Sequence, residues 1–168
     1  SKSEVSILFQ DENLISPAAI AINAKKNYLY VANGDAGVSE KSNETTARKI
    51  AGVLVYDLMT KKRVEYVDFT NLSDEVKCYA NGLTLDAKGN VYVTDSHRPI
   101  IYKIDGQTNE SSVFLKDKRF GGDDWNLNGI TYHPKGYLIA IQMSKGILFK
   151  IDLLTKQISK IQLDENII

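Results

Sequence analysis

Short apolar runs of four or five residues, separated by polar turns, recur along this chain. In its middle they fall at Gly82–Leu85, Asn90–Thr94, Ile100–Ile104 and Ser112–Leu115. Val91 and Val93 alternate with Tyr92 and Thr94, the period of two that a strand with two different faces requires. Tyr, Val and Ile dominate the runs, and these residues suit a pleated surface. The breaks read "DAKGN", "HPKGY", "AKKNY", "DGQTN", "DLLTKQ" and "DLMTKK". Asp and Asn favour such breaks because they bond nearby backbone, and Gly because it tolerates positive φ. No stretch keeps helical spacing over the roughly eleven residues that a helix assignment needs. The pattern predicts an all-β chain.

The runs also repeat. "NGLTLDAKGNVYVTDS" begins at Asn81, and "NGITYHPKGYLIAIQM" begins 47 residues later at Asn128. "PIIYKIDGQTNESSVFL" from Pro99 is answered by "GILFKIDLLTKQISKIQL" from Gly146. A looser copy runs from "AAIAINAKKNYLYVANG" to "GVLVYDLMTKKRVEYVDF", with a long polar interruption inside it. Four antiparallel strands per 40–50-residue repeat are the mark of a β-propeller blade; a plain β-sandwich of the same strands is the alternative. The expected blades are 17–69, 80–115 and 127–163, with "VSILF" at 5–9 as the outermost strand of a preceding blade. Propellers close with about 4–8 blades. Three blades therefore read as half of a six-bladed ring, completed by further chain or by a second copy.

If the strands of a blade run a to d from the axis outward, the d–a and b–c connections share one face. The a–b and c–d turns share the other. Every long connection (35–51, 70–80 and 116–127) falls on the first face. Long loops on a rigid scaffold are where binding and catalysis concentrate.

Charge narrows the partners. Lys plus Arg and Asp plus Glu number 21 each, so no overall field draws in nucleic acid or an anionic membrane. No apolar run approaches the ~20 residues that span a bilayer. The chain reads as soluble, with a secreted or periplasmic location left open. Cys78 is the single cysteine, which rules out an internal disulfide. Neither His97 nor His133 lies near it in sequence, so it reads as a small structural residue rather than a nucleophile.

The stretches "ANGLTLDAKGNVYVTDS…IIYKID" and "FGGDDWNLNGITYHPKGYLIA…LFKID" resemble the senescence-marker-protein/gluconolactonase family and the related NHL-type six-bladed propellers. The resemblance implies calcium or another divalent metal at the top of the central channel, and hydrolysis of a small-molecule lactone or ester. It places Asn128 as a metal ligand and Asn81 as the polar group on the substrate side. The family's Glu ligand position holds Ile15 here, and its channel Asp would lie beyond Ile168. The catalytic residue is unassigned. The alternative is a non-catalytic NHL-like propeller that holds a protein, peptide or glycan on the same face.

Other candidates share that face. In "TDSHRP", Asp95 and His97 offer a base or ligand and Arg98 an anion site; equally, Asp95 caps the end of its strand as an Asx turn does. "GGDDW" sets Asp123 and Asp124 as candidate metal carboxylates, beside Trp125 as a pocket wall. Asp95, His97 and Trp125 join Asn81 as candidate substrate contacts. Tyr132 and His133 fall near a turn on the opposite face. Asn43, Asn71 and Asn109 match the glycosylation acceptor pattern, which matters only in a eukaryotic secretory pathway.

Overall fold

The structure is a computed structural model and describes residues 5–163. Twelve strands form three four-stranded antiparallel sheets, each a simple meander. The first sheet holds β1 (Ser16–Asn23), β2 (Tyr28–Gly34), β3 (Ala51–Asp57) and β4 (Lys62–Asp68). The second holds β5 (Ala80–Leu85), β6 (Val91–Asp95), β7 (Ile100–Ile104) and β8 (Ser111–Lys116). The third holds β9 (Leu127–His133), β10 (Tyr137–Gln142), β11 (Ile147–Asp152) and β12 (Ile158–Lys160). The helical content of the described residues is three short 3₁₀ turns, at Thr70–Leu72, Lys118–Phe120 and Met143–Lys145. None is long and apolar enough to cross a membrane.

Turn chemistry explains the even spacing. Asp57, Asp86, Asp105 and Asp152 each close a turn by accepting from backbone amides two to four residues on, such as Met59 and Thr60 for Asp57. Such Asx bonds compete with a continuing strand and end it. The turns then need one residue at positive φ. Gly89 and Gly136 supply it between inner strands, and Lys61, Asn109 and Lys156 supply it further out.

The sheets pack face to face, with β5 set between β1 and β9. One core joins the first and second sheets through Tyr30, Val53, Val55, Val93, Ile100 and Tyr102. A second joins the second and third through Tyr92, Ile101, Phe114, Leu138, Phe149 and Ile151. Gly82 marks how close the inner strands come: a Cβ there would collide with the carbonyl oxygen of Asn128.

Val5–Phe9, expected as a strand, is not one. It pairs with no described strand, and Val5 and Ile7 stand 95% and 75% exposed. What holds this segment is side-chain contact further along. Phe9 stacks on Tyr56 at 4.7 Å, and Asp11 accepts from Tyr56 Oη at 3.1 Å and pairs with Arg63 at 3.0 Å. Leu14 and Phe9 thereby pack on the outward side of the first sheet.

Candidate functional site

The three long connections meet on one face, as their position in the repeat predicts. The β2–β3 connection forms a strap across it. It starts at Asp35, a fully buried carboxylate that accepts from Gly37 N at 2.7 Å and from the hydroxyls of Ser42 and Thr46. Burial pushes this carboxyl up, but those donors outweigh it and hold Asp35 below the usual carboxylate value. The strap ends at Arg48, held at φ 57°. Its amide donates to Asp35 O at 2.7 Å, and its carbonyl accepts from Cys78 N at 2.9 Å. Lys49 and Cys78 form a parallel bridge that ties the strap to the β4–β5 connection.

Trp125, in the β8–β9 connection, joins the same cluster. The Arg48 guanidinium lies 5.7 Å from its ring centre and pairs with Asp124 at 3.3 Å. Tyr79 meets the indole edge-on at 5.1 Å, and His97 lies against it at 4.5 Å. Trp125 is therefore a keystone between loops of all three sheets, with much of its ring already covered. His97 is half-buried and its Nε2 is enclosed without a partner. Burial, then the charge of Arg48, pushes its pKa down, so it stays neutral at physiological pH. Cys78 is buried, and burial pushes its thiol up to about 12, the value of an inert structural cysteine.

Asp95 lies beneath this layer, fully buried at the end of β6. Its Oδ1 accepts from the amides of Tyr79, His97 and Arg98, and its Oδ2 accepts from Tyr102 Oη at 2.9 Å. Burial pushes its pKa up, against those four donors. Arg98 is also buried, at 1% exposure. It holds no external anion: its guanidinium donates to the carbonyls of Phe69 at 3.2 Å, Thr70 at 2.9 Å and Glu75, and to Tyr102 Oη at 3.2 Å. Asp95 and Arg98 together pin the β4–β5 connection, so the strand-capping alternative describes Asp95.

Nearer the axis stand Asn81 and Asn128, one residue into β5 and β9. Asn81 donates to Ser96 Oγ at 2.9 Å, and Ser96 donates on to the carbonyl of Leu127 at 2.7 Å. Asn128 Nδ2 points to Met143 Sδ at 3.3 Å. Among the described residues the amide oxygens of both accept no hydrogen bond, and neither is enclosed. Two neutral acceptors thus face solvent from neighbouring inner strands.

Calcium takes six to eight oxygens and gains most from carboxylates. Two neutral amides fall short of that set. Ile15 adds an apolar side chain, and its amide is already bonded to Asn33 Oδ1 at 2.9 Å. Asp123 and Asp124 are exposed, with Asp124 taken up by Arg48. Among the described residues no three His, Cys, Asp or Glu side chains come together as a metal site. The donors present do not make a calcium site by themselves.

Among solved structures the chain is similar to one from a nidogen/laminin complex, with a TM-score of 0.65, 18% identity, and coverage of 94% of this chain and 51% of that one. The three sheets are propeller blades. Hydrazine synthase of Kuenenia stuttgartiensis matches with a TM-score of 0.60 and 15% identity, over 95% of this chain and 37% of that chain. Virginiamycin B lyase of Staphylococcus aureus matches with a TM-score of 0.59 and 15% identity, over 92% and 43% respectively. The chain spans about half or less of the length of each. No protein-family model and no curated protein matches it. Likeness at this identity establishes the fold and leaves function to the site.

Sequence reasoning overlooked three residues that matter here: Arg48, Tyr102 and Ser96. One signal for Tyr102 was present, since Asp95, Arg98 and Tyr102 all change in the next copy, to Gln142, Lys145 and Phe149. Arg48 sits in the interruption that has no counterpart, so nothing in the repeat marks it.

Proposed function

We propose that this chain contributes to a non-catalytic binding propeller whose loop face holds a hydroxyl-rich ligand, a glycan, near the axis. The observation that carries this reading is the pair of Asn81 and Asn128 amide oxygens on adjacent inner strands, which accept no hydrogen bond among the described residues. Neutral amides accept from sugar hydroxyls without charge, and the rim of Trp125 offers apolar surface for a sugar face. The groups that hydrolysis would call on are engaged elsewhere. Asp95 spends both oxygens on the fold, and His97 Nε2 is enclosed.

The second reading is a metal-assisted lactone or ester hydrolase of gluconolactonase-like character. It is favoured by where Asn81 and Asn128 stand, which is where that family's resemblance puts its polar groups. Calcium or another divalent metal would then need carboxylates from outside the described residues. In that case Asn128 and Asn81 would hold the metal and orient the substrate, and the metal would polarise the carbonyl.

One set of assays separates the two. A glycan-array screen followed by calorimetry in EDTA should show binding that Asn81→Ala and Asn128→Ala each weaken by about tenfold, the cost of one lost hydrogen bond. Hydrolysis of δ-gluconolactone or an aryl ester, abolished by EDTA and by Asn128→Ala, would establish the second reading instead.

A further inference from the structure

Asn81 and Asn128 hold equivalent places 47 residues apart, and so do Ser96 and Met143. Each inner-strand amide is therefore met by the residue that follows the second strand of its own blade. In the third blade that neighbour is the thioether of Met143, 3.3 Å from Asn128 Nδ2. Sulfur is a weak acceptor and holds the amide loosely. In the second blade the neighbour is the hydroxyl of Ser96, 2.9 Å from Asn81 Nδ2 and on a residue only 1% exposed.

Ser96 has one hydroxyl proton to give, and the geometry shows where it goes. Its Oγ lies 2.7 Å from the carbonyl oxygen of Leu127, on β9 of the next blade. Two oxygens at that separation share a proton, and a carbonyl has none, so the Ser96 hydroxyl donates there. What remains on Oγ is lone pairs. Asn81 bonds them only through Nδ2. Turning its amide over would set Oδ1 against Oγ with no proton between them, beside a residue closed to water.

We propose that Ser96 is the positioning residue of the loop-face site. It locks the Asn81 amide with its oxygen outward, so this position takes ligands that bring a hydrogen-bond donor, a hydroxyl or an ammonium. The proposal rests on the loop-face reading of Asn81 and Asn128 and adds a polarity to it. An ether, ester or lactone oxygen has no proton to bring to Asn81 Oδ1. Asn128, held only by sulfur, turns to suit either kind of group.

The first arm of the test needs no ligand. Proton exchange of the side-chain amides, followed by nitrogen-resolved NMR, should be about tenfold slower at Asn81 than at Asn128, the worth of one firm hydrogen bond. Ser96→Ala should bring Asn81 to the Asn128 rate and leave Asn128 unchanged. The second arm titrates myo-inositol and its hexa-O-methyl ether, which keeps the ring and its oxygens and loses every donor. Inositol should shift the Asn81 amide signals and the ether should not. In Ser96→Ala, with the amide free to turn, that preference should shrink about tenfold. Equal exchange at Asn81 and Asn128 would overturn the inference. So would an Asn81 rate indifferent to Ser96→Ala, or shifts at Asn81 from the ether as large as those from inositol. Slow exchange at Asn81 with no shift from inositol would uphold the orientation by Ser96 and count against the loop-face reading. The comparison of Asn81 with Asn128 in the unaltered chain stands whatever the melting temperature of the variant.

Discussion

The second and third blades perform the same turn with different chemistry. Gln142, Lys145 and Phe149 occupy the places of Asp95, Arg98 and Tyr102, 47 residues on in each case. Gln142 Oε1 accepts from Lys145 N at 2.7 Å, as Asp95 Oδ1 accepts from Arg98 N at 3.0 Å. Phe149 packs on Phe120 at 5.4 Å, as Tyr102 packs on Phe69 at 4.5 Å. Beyond that the two diverge. The second blade buries an acid and a base joined through a phenol, and uses the base to fasten a long connection. The third replaces the acid with an amide, the phenol with a phenyl ring, and sends its base outward to Gly121 O at 2.9 Å. The bend needs only an acceptor at its first position. The buried charges are there to hold the loop.

The largest effect should separate Arg98 from Lys145. Arg98→Ala removes the buried cation that stands near Asp95 through Tyr102, leaves the carbonyls of Phe69, Thr70 and Glu75 without their donor, and should cost about 3–5 kcal/mol. Lys145→Ala, at the exposed equivalent, should stay within about 0.5 kcal/mol. Urea unfolding of both variants measures the gap. The triple variant Asp95→Gln, Arg98→Lys, Tyr102→Phe converts the second blade to the third blade's set. It should be less destabilised than Arg98→Ala alone, because partners removed together leave no orphan charge. A triple variant weaker than the single one would mean that the network does more than satisfy itself.

Next in size comes the inner-strand glycine pair. A Cβ at Gly82 meets the backbone of β9, whereas one at Gly129 meets only the tip of Ile141 at 3.4 Å. Gly82→Ala should cost about 1–3 kcal/mol, and Gly129→Ala should cost less than about 1 kcal/mol. Thermal melts of the two variants check the order.

The smallest effect concerns the strap, which the third blade replaces with a 3₁₀ turn at Met143–Lys145. Asp35 has its pKa lowered in the folded state. Its stabilising contribution is therefore complete above the unfolded value of about 3.9 and is lost as pH falls through the lower folded value. Hydrogen exchange across 35–50 should speed up below about pH 4, while the cores of the blades hold. In Asp35→Asn that acid step should be absent.

The periodic parts of this molecule were legible. Strand positions in the second and third copies, the meander within each sheet, and the gathering of long connections on one face all follow from period-two alternation and Asx turn chemistry. Val5–Phe9, expected as the outermost strand of a preceding blade, finds no partner strand among the described residues, and its apolar residues alone do not supply one. Asp95 was legible as a cap but not as half of a charge pair, since Arg98 reaches it through Tyr102 and three-dimensional packing. The Ser96 bridge was not legible at all. Its donor and acceptor come from two blades, and only the packing of one sheet on the next brings Ser96 to the carbonyl of Leu127.

The central claim is that the Asn81 and Asn128 amides receive a ligand on the loop face. Its most direct measurement is two-dimensional NMR of the side-chain amides in EDTA, titrated with the best-binding glycan from the array. The account predicts saturable shifts of the Asn81 and Asn128 amide signals, with the Asn126 amide, buried and bonded to Asp124 O at 2.8 Å, unmoved. Shifts that appear only when calcium is restored, or that spare both residues, would contradict it.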